Sequence, residues 1–153
     1  MPEAIPDEVF EEFFESNRQV MRLLMKEVHD KLNNYSDLAH TSFVILKVLK
    51  KEGAKSQHEI AVEMCHTDAS VSKLITTLVE KEYVNTRPDP DNRRRVVVEI
   101  TQQGRKALLK VEKYLLGELR QYFDVATKKQ LIDLTSFNKK LQNNIIDKQK
   151  ETS

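Results

Sequence analysis

Asp68-Ala69-Ser70-Val71-Ser72-Lys73-Leu74-Ile75-Thr76-Thr77-Leu78-Val79-Glu80-Lys81, followed one residue later by Tyr83-Val84-Asn85-Thr86-Arg87, is the stretch that decides the fold. At about 100° per residue, Val71, Leu74, Ile75, Leu78 and Val79 share one face, so the first run reads as an amphipathic helix with that face in a core. The second run is β-branched and pairs with Arg95-Val96-Val97-Val98-Glu99-Ile100 across Pro88-Asp89-Pro90-Asp91-Asn92-Arg93-Arg94. Strand, turn-rich loop and strand predict a β-hairpin directly behind the helix. Pro88 and Pro90 have no amide hydrogen to give, so both are expected in extended loop and not in the ladder.

Working outward, Ser56-Gln57-His58-Glu59 is a capping box that opens a shorter helix carrying Ile60, Ala61 and Met64 inward. Cys65-His66-Thr67-Asp68 forms a tight connection, with Asp68 as cap of the next helix. In this register Cys65 is a small buried core residue. Phe43-Val44-Ile45-Leu46 with Val48 and Leu49 predicts a buried helix that stops at Gly53. Residues 7–32 predict one long helix capped by Asp7, with Val9, Phe10, Phe13, Phe14, Val20, Leu24, Val28 and Leu32 at helical spacing. Downstream, Thr101 caps a helix holding Ala107, Leu108, Val111, Leu115 and Leu119. Thr127-Lys128-Lys129-Gln130 opens another, with Leu131, Leu134, Phe137, Leu141 and Ile145. The polar end, Lys148 to Ser153, is expected to fray.

The predicted fold is therefore mainly α with a small β-hairpin wing. Residues 37–104 form a winged helix-turn-helix lobe, and residues 1–36 and 105–153 form a helical dimerisation region, all within a single compact chain. The terminal helices carry more apolar surface than so small a lobe can cover. Packing against each other and against a second copy resolves this, and a symmetric homodimer follows.

Composition agrees. The chain has 153 residues, 39% hydrophobic and 32% charged, which suits one folded domain and not a disordered segment. Its 3 Gly and 4 Pro are too few for a sandwich or barrel of tight hairpins. One Cys excludes an internal disulfide framework and a zinc ribbon. No apolar run is long enough to span a membrane, and Met1-Pro2-Glu3-Ala4 lacks the basic and apolar segments of a signal peptide. A cytoplasmic protein without membrane contact is expected. The net charge of +1 hides a gradient: residues 1–40 carry 4 basic and 9 acidic side chains, residues 102–153 carry 11 and 6. Between them Arg93-Arg94-Arg95 is the one dense cationic cluster, and a local patch of that kind binds phosphate whatever the total charge.

Over about residues 38–104 the chain resembles the MarR family of bacterial and archaeal transcriptional regulators. Glu59-Ile60-Ala61 with Met64 is similar to that family's first helix-turn-helix segment, and residues 68–81 to its recognition helix. Val84-Asn85-Thr86-Arg87 is similar to its first wing strand. Asp89-Pro90-Asp91-Asn92-Arg93-Arg94, then Ile100-Thr101-Gln102-Gln103-Gly104, is similar to the wing tip and the next helix start. Three positions depart from the family pattern. Asn92 replaces the Asp of the Asp-x-Arg wing signature, Glu82 replaces a Gly after the recognition helix, and Ser42 replaces a Gln. Asn92 can still hydrogen-bond Arg94, and Asp91 is placed to supply the missing charge. A left-handed Glu82 costs up to about 1 kcal/mol.

The groove-facing side of the 68–81 helix is Ala69, Lys73, Thr76, Thr77 and Glu80, flanked by Ser70 and Ser72. Small polar side chains let a helix sit deep in the major groove, and Thr methyls meet the thymine methyl. An ordinary solvated face favours long Glu, Lys and Gln. Arg93 and Arg94 sit on the wing, suited to a narrow, A·T-rich minor groove. The resemblance makes Arg94 the minor-groove residue and Asn92 its orienting partner. Ser56 and Gln57 complete the candidate DNA-binding set by holding a phosphate, although a capping box alone explains Ser56.

Other chemistry finds little support. His29, His40, His58 and His66 are scattered; Glu59, Glu63 and His66 share a helical face, which reads as solvated and not as a metal site. There is no phosphate-binding Gly loop, metalloprotease helix or nucleophile elbow, so no enzyme, no catalytic residue, no metal and no cofactor are expected. The expected function is a sequence-specific DNA-binding regulator, a homodimeric repressor on a pseudo-palindromic operator in double-stranded DNA. The resemblance further implies release by a small aromatic or lipophilic ligand in a crevice that Phe14, Arg18, Met21, Met25 and Phe43 are placed to line. A winged-helix protein-interaction module and a ligand-independent architectural DNA-binding protein are the alternatives.

Overall fold

The computed structural model describes residues 4–152. Expectations for Met1 to Glu3 and for Ser153 lie outside the described residues. The chain forms two compact units, divided after Glu118, where a single one was expected.

The first unit runs α1 (Asp7–Tyr35), α2 (His40–Glu52), β1 (Lys55–Ser56), α3 (Gln57–Glu63), α4 (Asp68–Glu80), β2 (Val84–Pro88), β3 (Val96–Ile100) and α5 (Gln102–Arg120) as far as Glu118. Its core draws on nearly every element, with Leu32, Leu46, Leu49, Ile60, Val71, Leu78, Val98 and Leu108 fully buried. Each such side chain contributes about 1.5–3 kcal/mol by leaving water.

The sheet has three antiparallel strands in the order β1-β3-β2, one more than the predicted hairpin. β1 pairs Lys55 with Val98 and Ser56 with Val97. Two residues are too few to show an alternation, so this strand leaves no periodicity to read. Pro88 was expected outside the ladder but is the last residue of β2, opposite Val96. β2 lies at the sheet edge, where a missing amide hydrogen is tolerated.

Helix ends correct three further expectations. Pro6, not Asp7, is the N-cap of α1, which puts the Asp7 carboxylate in the first turn against the helix dipole. Thr67, not Asp68, caps α4, its hydroxyl accepting from the Ser70 amide at 3.2 Å. Cys65 is exposed, not in the core. Its φ is 53°, and the amides of Cys65 and His66 donate back to Val62 and Ala61. That is a Schellman ending, and the left-handed residue it requires turns its side chain out of the helical register. α4 ends the same way at Glu82, φ 58°, with Glu82 and Tyr83 donating to Val79 and Leu78. The expected capping boxes at Ser56/Glu59 and Thr127/Gln130 both form.

The second unit, from Leu119 onward, holds a 3-10 turn (Gln121–Phe123) and α6 (Lys128–Glu151). α6 stays helical through Glu151, beyond the point where fraying was expected, and buries none of its residues. Leu131, Leu134, Phe137, Leu141 and Ile145 form an exposed stripe along it. In the first unit, α1 is likewise open along Val9, Phe10, Phe13, Phe14 and Met21.

Candidate nucleic-acid interface

α4 is fixed from below by Val71, Ile75 and Leu78, which are buried, and by the half-buried Leu74. Val79, expected in that core face, is 40% exposed at the helix margin. Above the core, Ala69, Ser70, Ser72, Lys73, Thr76 and Thr77 are all exposed on the outer surface. Their hydrogen bonding is partly preset. Thr76 Oγ1 donates to the Ser72 carbonyl at 3.0 Å and Thr77 Oγ1 to the Lys73 carbonyl at 3.2 Å. Each hydroxyl proton is thereby committed to the helix backbone, which leaves the two oxygens as acceptors. Ser70 Oγ is tied to Thr67 Oγ1 at 2.8 Å, inside the cap.

The wing tip is shaped by its own backbone. Asp89 donates its amide to the Arg95 carbonyl at 2.9 Å, and Arg95 donates to the Asn92 carbonyl at 2.8 Å. Asn92 Oδ1 accepts from the Arg94 backbone amide at 3.1 Å. The expected Asn92–Arg94 bond thus exists, but it orients the main chain and not the guanidinium. Asp91 uses its amide on Asp89 Oδ1 at 2.9 Å, and among the described residues no ion pair joins Asp91 to Arg94. Arg93, Arg94 and Arg95 are exposed.

Ser56 and Gln57 are occupied within the fold. Ser56 is buried, its hydroxyl accepting from the Glu59 amide and its amide donating to Glu59 Oε2 at 2.7 Å. These bonds hold the Glu59 carboxyl below the usual carboxylate range, with Lys55 and Arg95 adding smaller attractions. Gln57 Nε2 reaches the Asp68 carbonyl at 3.3 Å and ties α3 to α4. Beside it, His58 Nδ1 lies 3.1 Å from Asp68 Oδ1. The pairing of His58 with Asp68 does not stand out in the sequence, because the two are on different helices and meet only through the tertiary turn.

Arg18, expected in a ligand crevice, is forked onto Glu15 at 2.6 and 2.7 Å and holds that carboxyl down to about 2. Phe43 is buried, while Phe14, Met21 and Met25 are exposed. A cleft of about 260 Å³ lies elsewhere, lined by Tyr35, Asp37, Leu38, Tyr83, Lys110 and Val111. Among the described residues no group of three or more His, Cys, Asp or Glu is arranged to hold a metal, and no helix is long and apolar enough to cross a membrane.

A helix face of exposed small polar residues and an arginine-tipped wing are the kind of surface with which a winged helix-turn-helix reads DNA. The profile of the MarR family matches residues 38–96, from two residues before α2 to the first residue of β3. Over that span the chain is similar to the MarR family. The chain is 26% identical over 124 residues to the HTH-type transcriptional regulator YpoP of Bacillus subtilis, covering 80% of this chain and 88% of YpoP. It is 34% identical over 67 residues to the HTH-type transcriptional repressor NicR of Pseudomonas putida, covering 44% of this chain and 42% of NicR. The crystal structure of the transcriptional regulator BldR from Sulfolobus solfataricus matches with a TM-score of 0.72 at 26% identity, covering 91% of this chain and 99% of BldR. With these similarities, the chain is a DNA-binding regulator of transcription.

Proposed function

We propose that this chain is a MarR-family homodimeric repressor that binds a pseudo-palindromic operator, one α4 to each half-site. Ala69, Ser70, Ser72, Lys73, Thr76 and Thr77 enter the major groove. Arg93 and Arg94 follow the adjacent minor groove, with Asn92 fixing the turn that presents them. Ser56 and Gln57 serve the interface from behind, by capping α3 and clasping it to α4. The observation that carries this reading is the outward face of α4, small and polar along its length beside three exposed arginines. Two preset Thr acceptors suit adenine or cytosine amino groups, and Lys73 suits guanine or a phosphate.

The dimer is supported by the exposed apolar stripes of α1 and α6, which a second copy would cover. Residues 1–36 and 105–153 are the dimerisation region in this reading, and residues 37–104 the DNA-binding lobe. Repression is supported by the similarity to NicR. The protein acts by binding and not by catalysis, in the cytoplasm, and a small aromatic or lipophilic ligand shifts its operator affinity by favouring one arrangement of the lobes.

Fluorescence anisotropy of a labelled duplex from upstream of the chain's own gene, against a scrambled duplex and across salt, tests the reading. Tighter binding to the native duplex, with log affinity falling by about 0.9 per phosphate contact per decade of salt, is expected. Weak, salt-insensitive binding to both duplexes would overturn it.

A further inference from the structure

His58 and Asp68 face each other across the two helices of the reading head. The imidazole Nδ1 lies 3.1 Å from one carboxylate oxygen of Asp68 and 3.2 Å from the other. Both side chains remain open to solvent, at 62% and 60%. Asp68 lies in the first turn of α4, where a carboxylate suits the helix dipole, while Thr67 supplies the cap and Gln57 joins α3 to α4 through the Asp68 carbonyl. On the DNA-reading end of α4 a carboxylate meets phosphates of its own sign, which weakens binding.

A protonated imidazole reverses that effect. With one ring N–H donated to Asp68, the other is left to donate outward, and the cation stands between the carboxylate and the DNA backbone. The remaining charged groups nearby are engaged elsewhere. Glu59, on the same helix, closes the capping box with Ser56 and feels Lys55 and Arg95. Glu63 holds Lys55 at 3.2 Å, and His66 Nδ1 lies 2.7 Å from the Met64 carbonyl. Asp68 on α4 is the carboxylate within hydrogen-bonding distance of the His58 ring.

We propose that His58, oriented by Asp68, contacts a DNA phosphate only when protonated, so that DNA binding takes up a proton at this residue. The inference rests on the DNA-reading role of α4 and the wing. A phosphate contact is blind to sequence. Its effect is therefore the same on the upstream duplex and on the scrambled one, unlike that of a base-reading side chain.

The test uses the full chain, both labelled duplexes, and affinities measured at about pH 6 and about pH 8, the range in which histidine changes charge. Wild type, His58→Gln and Asp68→Asn are compared, with Arg94→Ala as a DNA-contact control and thermal melts to verify folding. The wild type is expected to bind several-fold more tightly at the lower pH on both duplexes. His58→Gln loses that gain, and its salt slope at the lower pH is smaller by about 0.9 per lost contact. Asp68→Asn binds more tightly than wild type at the higher pH, where the carboxylate is no longer offset. Arg94→Ala weakens binding but keeps the wild-type pH dependence. If His58→Gln retains both the wild-type pH dependence and the wild-type salt slope while binding stays salt-steep, the pair is only a clasp between helices and this inference falls alone. If the wild type shows no salt-dependent binding to either duplex, the DNA-reading assignment falls with it.

Discussion

The hydroxyl of Thr101, the residue that opens α5, donates to the carbonyl of Glu82 at 2.7 Å. Glu82 is the left-handed residue that ends α4, so this bond fastens the end of that helix to the start of α5. The same joint is held by Gln103 Nε2 on the Lys81 carbonyl at 3.1 Å and by the Lys81–Asp37 ion pair, which raises the Lys81 pKa and lowers that of Asp37.

Replacing Glu82 with glycine tests what the joint stores. At φ 58° a side chain opposes the backbone conformation, and glycine removes the opposition while loosening the unfolded chain. Glu82→Gly is expected to raise stability by up to about 1 kcal/mol, read from urea unfolding. DNA affinity should stay unchanged, because the carbonyl that Thr101 holds is main chain.

Gly104 sits on the other side of the joint and tolerates nothing larger. A Cβ there would lie 2.1 Å from the Tyr83 carbonyl oxygen, a main-chain atom that cannot rotate away. Gly104→Ala is expected to cost about 3 kcal/mol through forced separation of α5 from β2. A urea midpoint within error of wild type would show that α5 can shift without loss.

Much of this was legible in the sequence, and the boundary is physical. The α4 face, both capping boxes, Gly53 and the wing arginines follow from local periodicity and cap chemistry. Glu82 was recognisable as a departure, because the position after the reading helix calls for glycine. Cys65 was misread because its apolar neighbours extended a helical register past the residue where the backbone turns left-handed. β1 was invisible because pairing with Val97 and Val98 makes it a strand, not any pattern of its own. The His58–Asp68 pair depends on how tightly the turn folds α3 onto α4, which spacing along the chain does not encode. Ser56 and Gln57 carried the right residue types for phosphate, but burial and the clasp to Asp68 engage them first.

The capping box of α3 makes stability depend on acid. The Glu59 carboxyl is lowered in the folded chain by its bonds to Ser56, so the stabilisation is present above the ordinary carboxylate pKa of about 4.3 and is lost as pH falls below it toward the folded value. Asp37 and Glu52 shift the same way, through Lys81 and Lys55. Melting temperature should therefore fall as pH drops through that window. Glu59→Gln should lower stability at pH 7 and flatten part of the fall, and Ser56→Ala should cost about 1 kcal/mol. A Glu59→Gln melt that parallels the wild type at every pH would remove the box from the account.

Lys73 and Arg94 should separate two kinds of DNA contact. Both are exposed, so replacing either with alanine leaves the fold intact. Arg94→Ala should weaken binding most where the sequence beneath the wing is A·T-rich, since a narrow minor groove attracts arginine most strongly. Lys73→Ala should either relax preference at one base pair, by about 1–3 kcal/mol if it reads guanine, or lower the salt slope by about one contact if it holds a phosphate. Binding by the double variant that equals wild type would remove both from the interface.

The proposed second copy is tested on α6. The helix has 24 residues, buries none of them, and exposes Phe137 at 46% between Leu134 and Leu141. The stripe is apolar and exposed along the helix, a surface that a second copy would cover. If a second copy covers it, helicity and assembly are linked by mass action. Phe137→Glu places a charge in the middle of the stripe, where burial would leave it unpaired. The variant is expected to sediment as a monomer at concentrations where the wild type is a dimer, with lower helical signal and much weaker binding to a two-half-site duplex. Its affinity for a single half-site should change little, because that contact lies in the lobe formed by α3, α4 and the wing. A Phe137→Glu protein that remains dimeric would move the interface off α6 and leave α1, open along Phe10, Phe13 and Phe14, as the face to test next.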